Sequence, residues 1–188
     1  MFNVILLIRI KIIMDAQPNP PVPTKYSYKV NDQLYASEYP IMKTDVDSSE
    51  KLAAMVEFGI TDFIDLTQPG ELHPYEQFLP DGVHRWSFPI PDMNPPPSLE
   101  YMDNILARIN ELIAQGRVVC VHCWGGMGRT GSVITCWLGK TNQWSFAQTR
   151  KCQLQLWRTN PKSQRTPQLM NETQVDFLRQ YLDGKKNQ

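Results

Sequence analysis

Arg117-Val-Val-Cys-Val-His122-Cys123-Trp-Gly-Gly-Met-Gly-Arg129-Thr-Gly131 decides how the rest of the chain is read. Its first half is a short apolar run rich in β-branched residues and preceded by Gly116, which reads as a buried strand. Strand side chains alternate, so Cys120 and His122 face one side of the sheet and Cys123 faces the other, at the strand's C-terminal end. Gly125, Gly126 and Gly128 follow at once, and Arg129-Thr130 leads into a helical pattern from roughly Thr130 to Leu138. Glycines let backbone N–H groups converge on one point, and a helix N-terminus adds partial positive charge, so this junction is an anion cradle suited to phosphate. The same field favours a thiolate at Cys123. Arg129 can hold two phosphoryl oxygens in a bidentate fork as charge builds on them.

Two competing motifs fail on context. Gly126-Met-Gly-Arg-Thr-Gly131 matches a dinucleotide fingerprint in letters, but the acid that should meet a ribose about 20 residues later is absent from Lys151-Cys-Gln-Leu-Gln. Cys120, His122, Cys123 and Cys136 are close in sequence, yet strand alternation splits them and no C-x₂-C pair completes a zinc site. Cys120, Cys136 and Cys152 read as small buried hydrophobes.

Working outward, Tyr26 to Val30 and Leu34 to Ser37 flank Asn31-Asp32 as a hairpin. Asp47-Ser-Ser-Glu50 has the form of a capping box and leads a helix carrying Leu52, Met55 and Val56 that stops at Gly59. Asp62 to Leu66 and Val83 to Pro89 read as strands on either side of a long loop, Thr67 to Gly82. Pro89 to Pro97 is a proline-rich loop, because proline removes a backbone donor and fixes φ. Ser98 caps a helix with Met102, Ile105, Leu106, Ile109, Leu112 and Ile113 on one face, ending at Gly116. Two more helical patterns follow, Ser145 to Trp157 and Asn171 to Leu182. Strands interleaved with helices, then helices alone, argue for an α/β fold with a mixed central sheet covered by helices.

The chain has 188 residues, which suits one domain. Its 19 Lys+Arg balance 19 Asp+Glu, so no global field draws it to nucleic acid or anionic lipid. Four cysteines bunched in the second half are no disulfide framework, and a reducing, cytoplasmic setting is expected. The apolar run Met1 to Met14 is shorter than the roughly 20 residues of a bilayer span, and Arg9 and Lys11 interrupt it. Stable membrane insertion is therefore not expected. Residues 1–25, with four prolines between Gln17 and Pro23, read as an extension and linker outside the core, with Met14 an alternative start. The domain is placed at residues 26–188.

His122-Cys123-x₅-Arg129-Thr130-Gly131 resembles the signature of the Cys-dependent protein tyrosine phosphatase superfamily, in its dual-specificity branch, and Phe88-Pro-Ile-Pro-Asp92 resembles that branch's general-acid loop. The resemblance runs from about Tyr26 to Leu182. It implies Cys123 as nucleophile, Arg129 as phosphate clamp and Asp92 as acid. Thr130 would donate its hydroxyl to the sulfur, and His122 would orient the loop without exchanging protons with substrate. The backbone of Trp124, Gly125, Gly126, Met127 and Gly128 would hold the phosphoryl oxygens. Gln174 stands where the superfamily often positions the hydrolytic water, although Asn171-x-x-Gln174 is equally a plain capping box. Standing alone, Asp92 would read as a turn residue beside proline.

The implied activity is hydrolysis of phosphotyrosine, and of phosphoserine or phosphothreonine, through a phosphocysteine. It needs no metal or organic cofactor, and its partner is a phosphorylated protein or peptide. Lys25 to Asn31 lacks the Asn-Arg-Tyr recognition sequence of strict tyrosine phosphatases. A catalytically weak phosphoprotein-binding module is an alternative. Hydrolysis of phosphoinositides or RNA 5′-phosphates is a further one, disfavoured by a neutral loop that lacks the lysine a multiply charged substrate would use.

Overall fold

A computed structural model describes residues 20–41 and 48–184. The apolar run Met1 to Met14 and the capping residue Asp47 lie outside them. The chain enters through a buried Pro23 and a turn closed by the Ser27 amide on the Thr24 carbonyl. Strands β1 (Tyr28–Lys29) and β2 (Leu34–Ser37) form the expected hairpin, with Tyr28 opposite Ala36. Helix α1 (Ser48–Glu57) leads to β3 (Asp62–Asp65), and β4 (His84–Ser87) follows the long loop. Then come α2 (Leu99–Ala114), β5 (Val119–His122), α3 (Gly128–Asn142), α4 (Phe146–Arg158) and α5 (Glu172–Asp183).

The sheet order is β1-β2-β5-β3-β4, antiparallel only between β1 and β2 and parallel elsewhere. β5 therefore lies at the centre, flanked by β2 and β3. A ligand site is expected in the crevice beyond the carboxyl ends of the strands in such a sheet, and Cys123 leaves β5 there.

Alternation along β5 divides the core in two. Val119, Val121 and Cys123 join Leu34, Ala36, Ile64 and Leu66 against α2 to α5, whereas Cys120 joins Tyr35, Phe63, Leu52, Met55 and Tyr75 on the α1 face. Each face buries apolar surface at roughly 25 cal/mol per Å², which makes the register of β5 costly to change. Burial also holds the other cysteines as thiols: it pushes Cys120 up to about 12 and Cys152 up to about 11, and raises Cys136 as well.

Helix α2 forms as its periodicity requires, with Met102, Ile105, Leu106, Ile109 and Leu112 buried and Ser98 Oγ accepting the Tyr101 amide at 3.0 Å. Helix α3 is buried from Arg129 to Gly139 and packs against α2, α4 and α5. At Gly139 a Cβ would lie 2.5 Å from Leu182, so glycine is what lets α5 approach so closely. The helix begins at Gly128, two residues before the Thr130 expected from the pattern, so Arg129 and Thr130 lie in its first turn. The fourth and fifth helices begin one residue after their expected starts because Ser145 and Asn171 are the caps, each in a complete capping box.

Candidate active site

The loop from Trp124 to Met127 joins the end of β5 to the N-terminus of α3. Gly126 has φ +70°, and a Cβ on it would stand 2.6 Å from the backbone of Ser37 and Glu38. Any side chain here would strain the backbone and push the loop off β2. Trp124 is exposed, Met127 half-buried, and Cys123 only 3% exposed at the foot of the loop. Thr130 Oγ1, one helical turn on, is buried without a hydrogen-bond partner.

Arg129 is 2% exposed, and a buried guanidinium needs compensation. It finds it in Glu71, whose two carboxylate oxygens accept from Nη1 at 2.8 Å and Nη2 at 2.6 Å. The Ile90 carbonyl accepts from Nη1 at 3.1 Å, and Asp92 Oδ1 lies 3.0 Å from Nη2. Desolvation would raise the Glu71 carboxyl, but bonds from Arg129 and the Gln68 amide outweigh it and hold it below its usual range. Arg129 thus stays charged and is held in one orientation.

Asp92 is 58% exposed on a loop secured at both ends. The Ile90 amide donates to the Leu66 carbonyl, and Tyr101 Oη donates to the Pro89 carbonyl. Beyond Asp92, Met93 takes φ 60°, an uncommon value for a side chain of this size. Asn171 Nδ2 holds the Met93 carbonyl at 2.7 Å. Gln174 Nε2 donates to the Asn94 carbonyl at 3.2 Å, while its Oε1 accepts the Asn171 amide. Gln174 therefore completes a capping box, packs against Gly128 and ties α5 to the Asp92 loop. Both ends of its amide are engaged.

His122 lies on the opposite face of the sheet from Cys123, caged by Tyr39, Phe63 and Tyr75. Tyr75 Oη is 2.7 Å from its Nε2, and Asp65 Oδ1 is 3.8 Å from its Nδ1. Desolvation pushes the imidazole down to about 4 despite Asp65, so it is neutral at physiological pH. Its folded pKa lies below the unfolded value near 6.5. The stability it contributes is complete above that value and is lost as pH falls towards about 4. Denaturant titrations should therefore show a loss of about 2 kcal/mol between pH 6.5 and 5, and His122→Asn should abolish that slope. An unchanged slope in the variant would place the proton uptake elsewhere.

Tyr75 has no signal in the sequence, and Glu71, which the sequence offers only as a substitute for Asp92 as the acid, is instead the partner of Arg129; both sit in the long loop between β3 and β4. The aspartates left without chemistry are anchors: Asp65 holds Arg85 and Thr67, and Asp62 holds Arg117 at 2.6 Å and Trp86. His73, His84 and Arg165 are exposed. Among the described residues no group of three or more His, Cys, Asp or Glu side chains could hold a metal. No described helix is long and apolar enough to cross a membrane.

A family model described as "Polymorphic toxin system, DSP-PTPase phosphatase" matches residues 38–143, from the end of β2 to the end of α3. The chain belongs to this family. The match includes the Cys123 loop, Arg129, Glu71 and Asp92, but not α4 and α5. "Putative tyrosine phosphatase 067L" of Invertebrate iridescent virus 3 is 30% identical over 120 residues, covering 61% of this chain and 46% of that protein. Human "Dual specificity protein phosphatase 12" is 36% identical over 63 residues, covering 32% of this chain and 18% of that one. The chain thus spans less than half the length of these curated relatives. Among solved structures, Tk-PTP in its active form superposes with a TM-score of 0.66 at 24% identity, over 84% of this chain and 97% of that one. Kinase associated phosphatase, with its catalytic cysteine replaced by serine, gives 0.65 at 18%, over 82% and 88%. Both solved structures share this fold, and the mixed sheet with its helical cover is the architecture expected from the sequence.

Proposed function

We propose that the chain is a Cys-dependent protein phosphatase that hydrolyses phosphomonoesters by two in-line displacements. The observation that carries this reading is the placement of Arg129. Its guanidinium is fixed by Glu71, touches Asp92, and stands in the first turn of the helix that follows the Cys123 loop. A phosphoryl group in the cradle would take the Arg129 Nε–H and an Nη2–H, displacing Asp92 from Nη2 and leaving it beside the leaving oxygen.

In the first displacement the Cys123 thiolate attacks phosphorus. The bond to the leaving oxygen breaks, and that oxygen takes a proton from Asp92. In the second, water attacks the phosphocysteine, gives a proton to Asp92, and the P–S bond breaks to release phosphate. The unpartnered hydroxyl of Thr130 is free to donate to the departing sulfur. Loop N–H groups and Arg129 supply the transition-state charge stabilisation. His122, neutral and enclosed, positions the end of β5 from beneath. Gln174 holds the Asp92 loop, and any part it plays with water would be made with the same amide.

The phosphatase names of the similar proteins support the reaction class, and phosphorylated proteins are the proposed substrates. A shallow cleft walled partly by Trp124, which is exposed, and Met127 would accept phosphotyrosine together with phosphoserine and phosphothreonine. A small aryl phosphate should be hydrolysed in EDTA, and orthovanadate should inhibit. Loss of activity in EDTA that is restored by a divalent cation would overturn the cysteine mechanism.

A further inference from the structure

The phosphate loop is held from outside by its carbonyl groups. Tyr39 N–H donates to the Trp124 carbonyl at 2.9 Å, and Lys162 Nζ donates to the Gly125 carbonyl at 3.0 Å. A trans peptide points its N–H opposite to its C=O. Drawing these two carbonyls outward therefore turns the amides of Gly125 and Gly126 inward, towards the place a phosphoryl oxygen would occupy. The first tether is backbone and follows from the path of β2. The second is a side chain from a different part of the fold, the short 3₁₀ turn Pro161–Gln164 after α4.

Lys162 is itself fixed on three sides. Glu38 Oε2 accepts from Nζ at 2.6 Å, and the Tyr26 ring lies 5.1 Å below the ammonium. The same Glu38 carboxylate accepts from Lys51 at 2.6 Å. Desolvation opposes the charge on Glu38, but the two lysines outweigh it and keep the carboxyl below its usual range. Glu38 is also the residue against whose backbone Gly126 packs. The lysine thus reaches the loop at the peptide where glycine is sterically required.

We propose that Lys162 is a positioning residue for the phosphate cradle, acting through the Gly125 carbonyl to set the Gly126 amide toward the bound anion. Beyond direction, an ammonium on the carbonyl polarises the peptide and strengthens its N–H as a donor. The lysine touches no substrate atom, and with Lys51 on the same Glu38 the cluster keeps one net positive charge behind the loop. The inference rests on the phosphate-cradle reading above.

The test is calorimetric affinity for inorganic phosphate on the full chain carrying Cys123→Ser, which binds without turnover. Adding Lys162→Met should weaken phosphate about tenfold, the worth of one charge-assisted hydrogen bond. Lys162→Arg, which keeps a charged donor, should recover most of the loss. Lys51→Met removes an ion pair from the same Glu38 and a bond to the Tyr39 carbonyl, but nothing from the Gly125 carbonyl, and should stay within about threefold of the parent. If Lys162→Met does not melt cooperatively, Lys162→Gln replaces it, with an intermediate loss expected. Equal affinity in Lys162→Met and the parent would overturn the proposal, as would equal losses in Lys162→Met and Lys51→Met, which would assign the effect to Glu38 alone. A parent that binds no phosphate would overturn the cradle reading itself.

Discussion

Cys123→Ser is expected to abolish turnover of every phosphomonoester while leaving phosphate affinity close to that of the native chain. The argument is geometric. The anion would be held by the loop amides, the N-terminus of α3 and Arg129, none of which depends on the sulfur, whereas bond formation to phosphorus does. Serine is smaller and differs by one atom at the foot of a loop whose shape is set by Gly126 against β2 and by its tethered carbonyls. The site should therefore persist. A serine hydroxyl is a far weaker acid than a thiol and a poorer nucleophile, so the first displacement fails. Single-turnover assays with an aryl phosphate, paired with phosphate titration of the same sample, check both halves. Residual turnover within about tenfold of wild type would show that another group carries the chemistry.

Asp92→Asn should lower kcat by roughly 10² to 10⁴ on substrates with poor leaving groups, the usual worth of a positioned proton donor. In kcat/KM, which reports the first displacement, the loss should shrink on an aryl phosphate whose leaving group departs without protonation, while kcat still falls because the second displacement also uses Asp92. Affinity for inorganic phosphate should change little, because Asp92 meets Arg129 rather than the phosphoryl group. The other acids near enough to be considered have different work. Glu71 is locked to Arg129 by two hydrogen bonds, and Asp103 on α2 accepts from the Tyr181 hydroxyl on α5. A uniform loss of kcat/KM across leaving groups would mean that Asp92 acts by steering Arg129 and not as an acid.

The strand, the glycine loop and the helix after it were legible because each step is local. β-Branched alternation sets β5, glycines permit the turn, and a 3.6-residue pattern sets α3. The start of α3 was placed late at Thr130 because glycine is a poor helix former, yet here Gly128 sits where the loop turns into the first helical residue. Glu71 had no local signature. It is one acid in a charged, proline-rich loop, and only the burial of Arg129, a fact of tertiary structure, demands a carboxylate beside it. Tyr75 was hidden for the same reason, since its partner His122 lies 47 residues away. Lys162 had no local signature either, since its ammonium reaches Glu38 across 124 residues of sequence. Asn171-x-x-Gln174 showed its capping box in sequence but not its grip on the Asp92 loop.

The central claim is a covalent phosphocysteine, and the most direct measurement is mass spectrometry of acid-quenched enzyme after rapid mixing with an aryl phosphate. Asp92→Asn should help, because water attack in the second step also needs that carboxylate, so the intermediate should accumulate. The expected result is one added phosphoryl group on the peptide carrying Cys123, formed in EDTA and absent from Cys123→Ser. Turnover at the normal rate with no phosphorylated Cys123 peptide at any quench time, or with the phosphoryl group on another residue, would contradict the account.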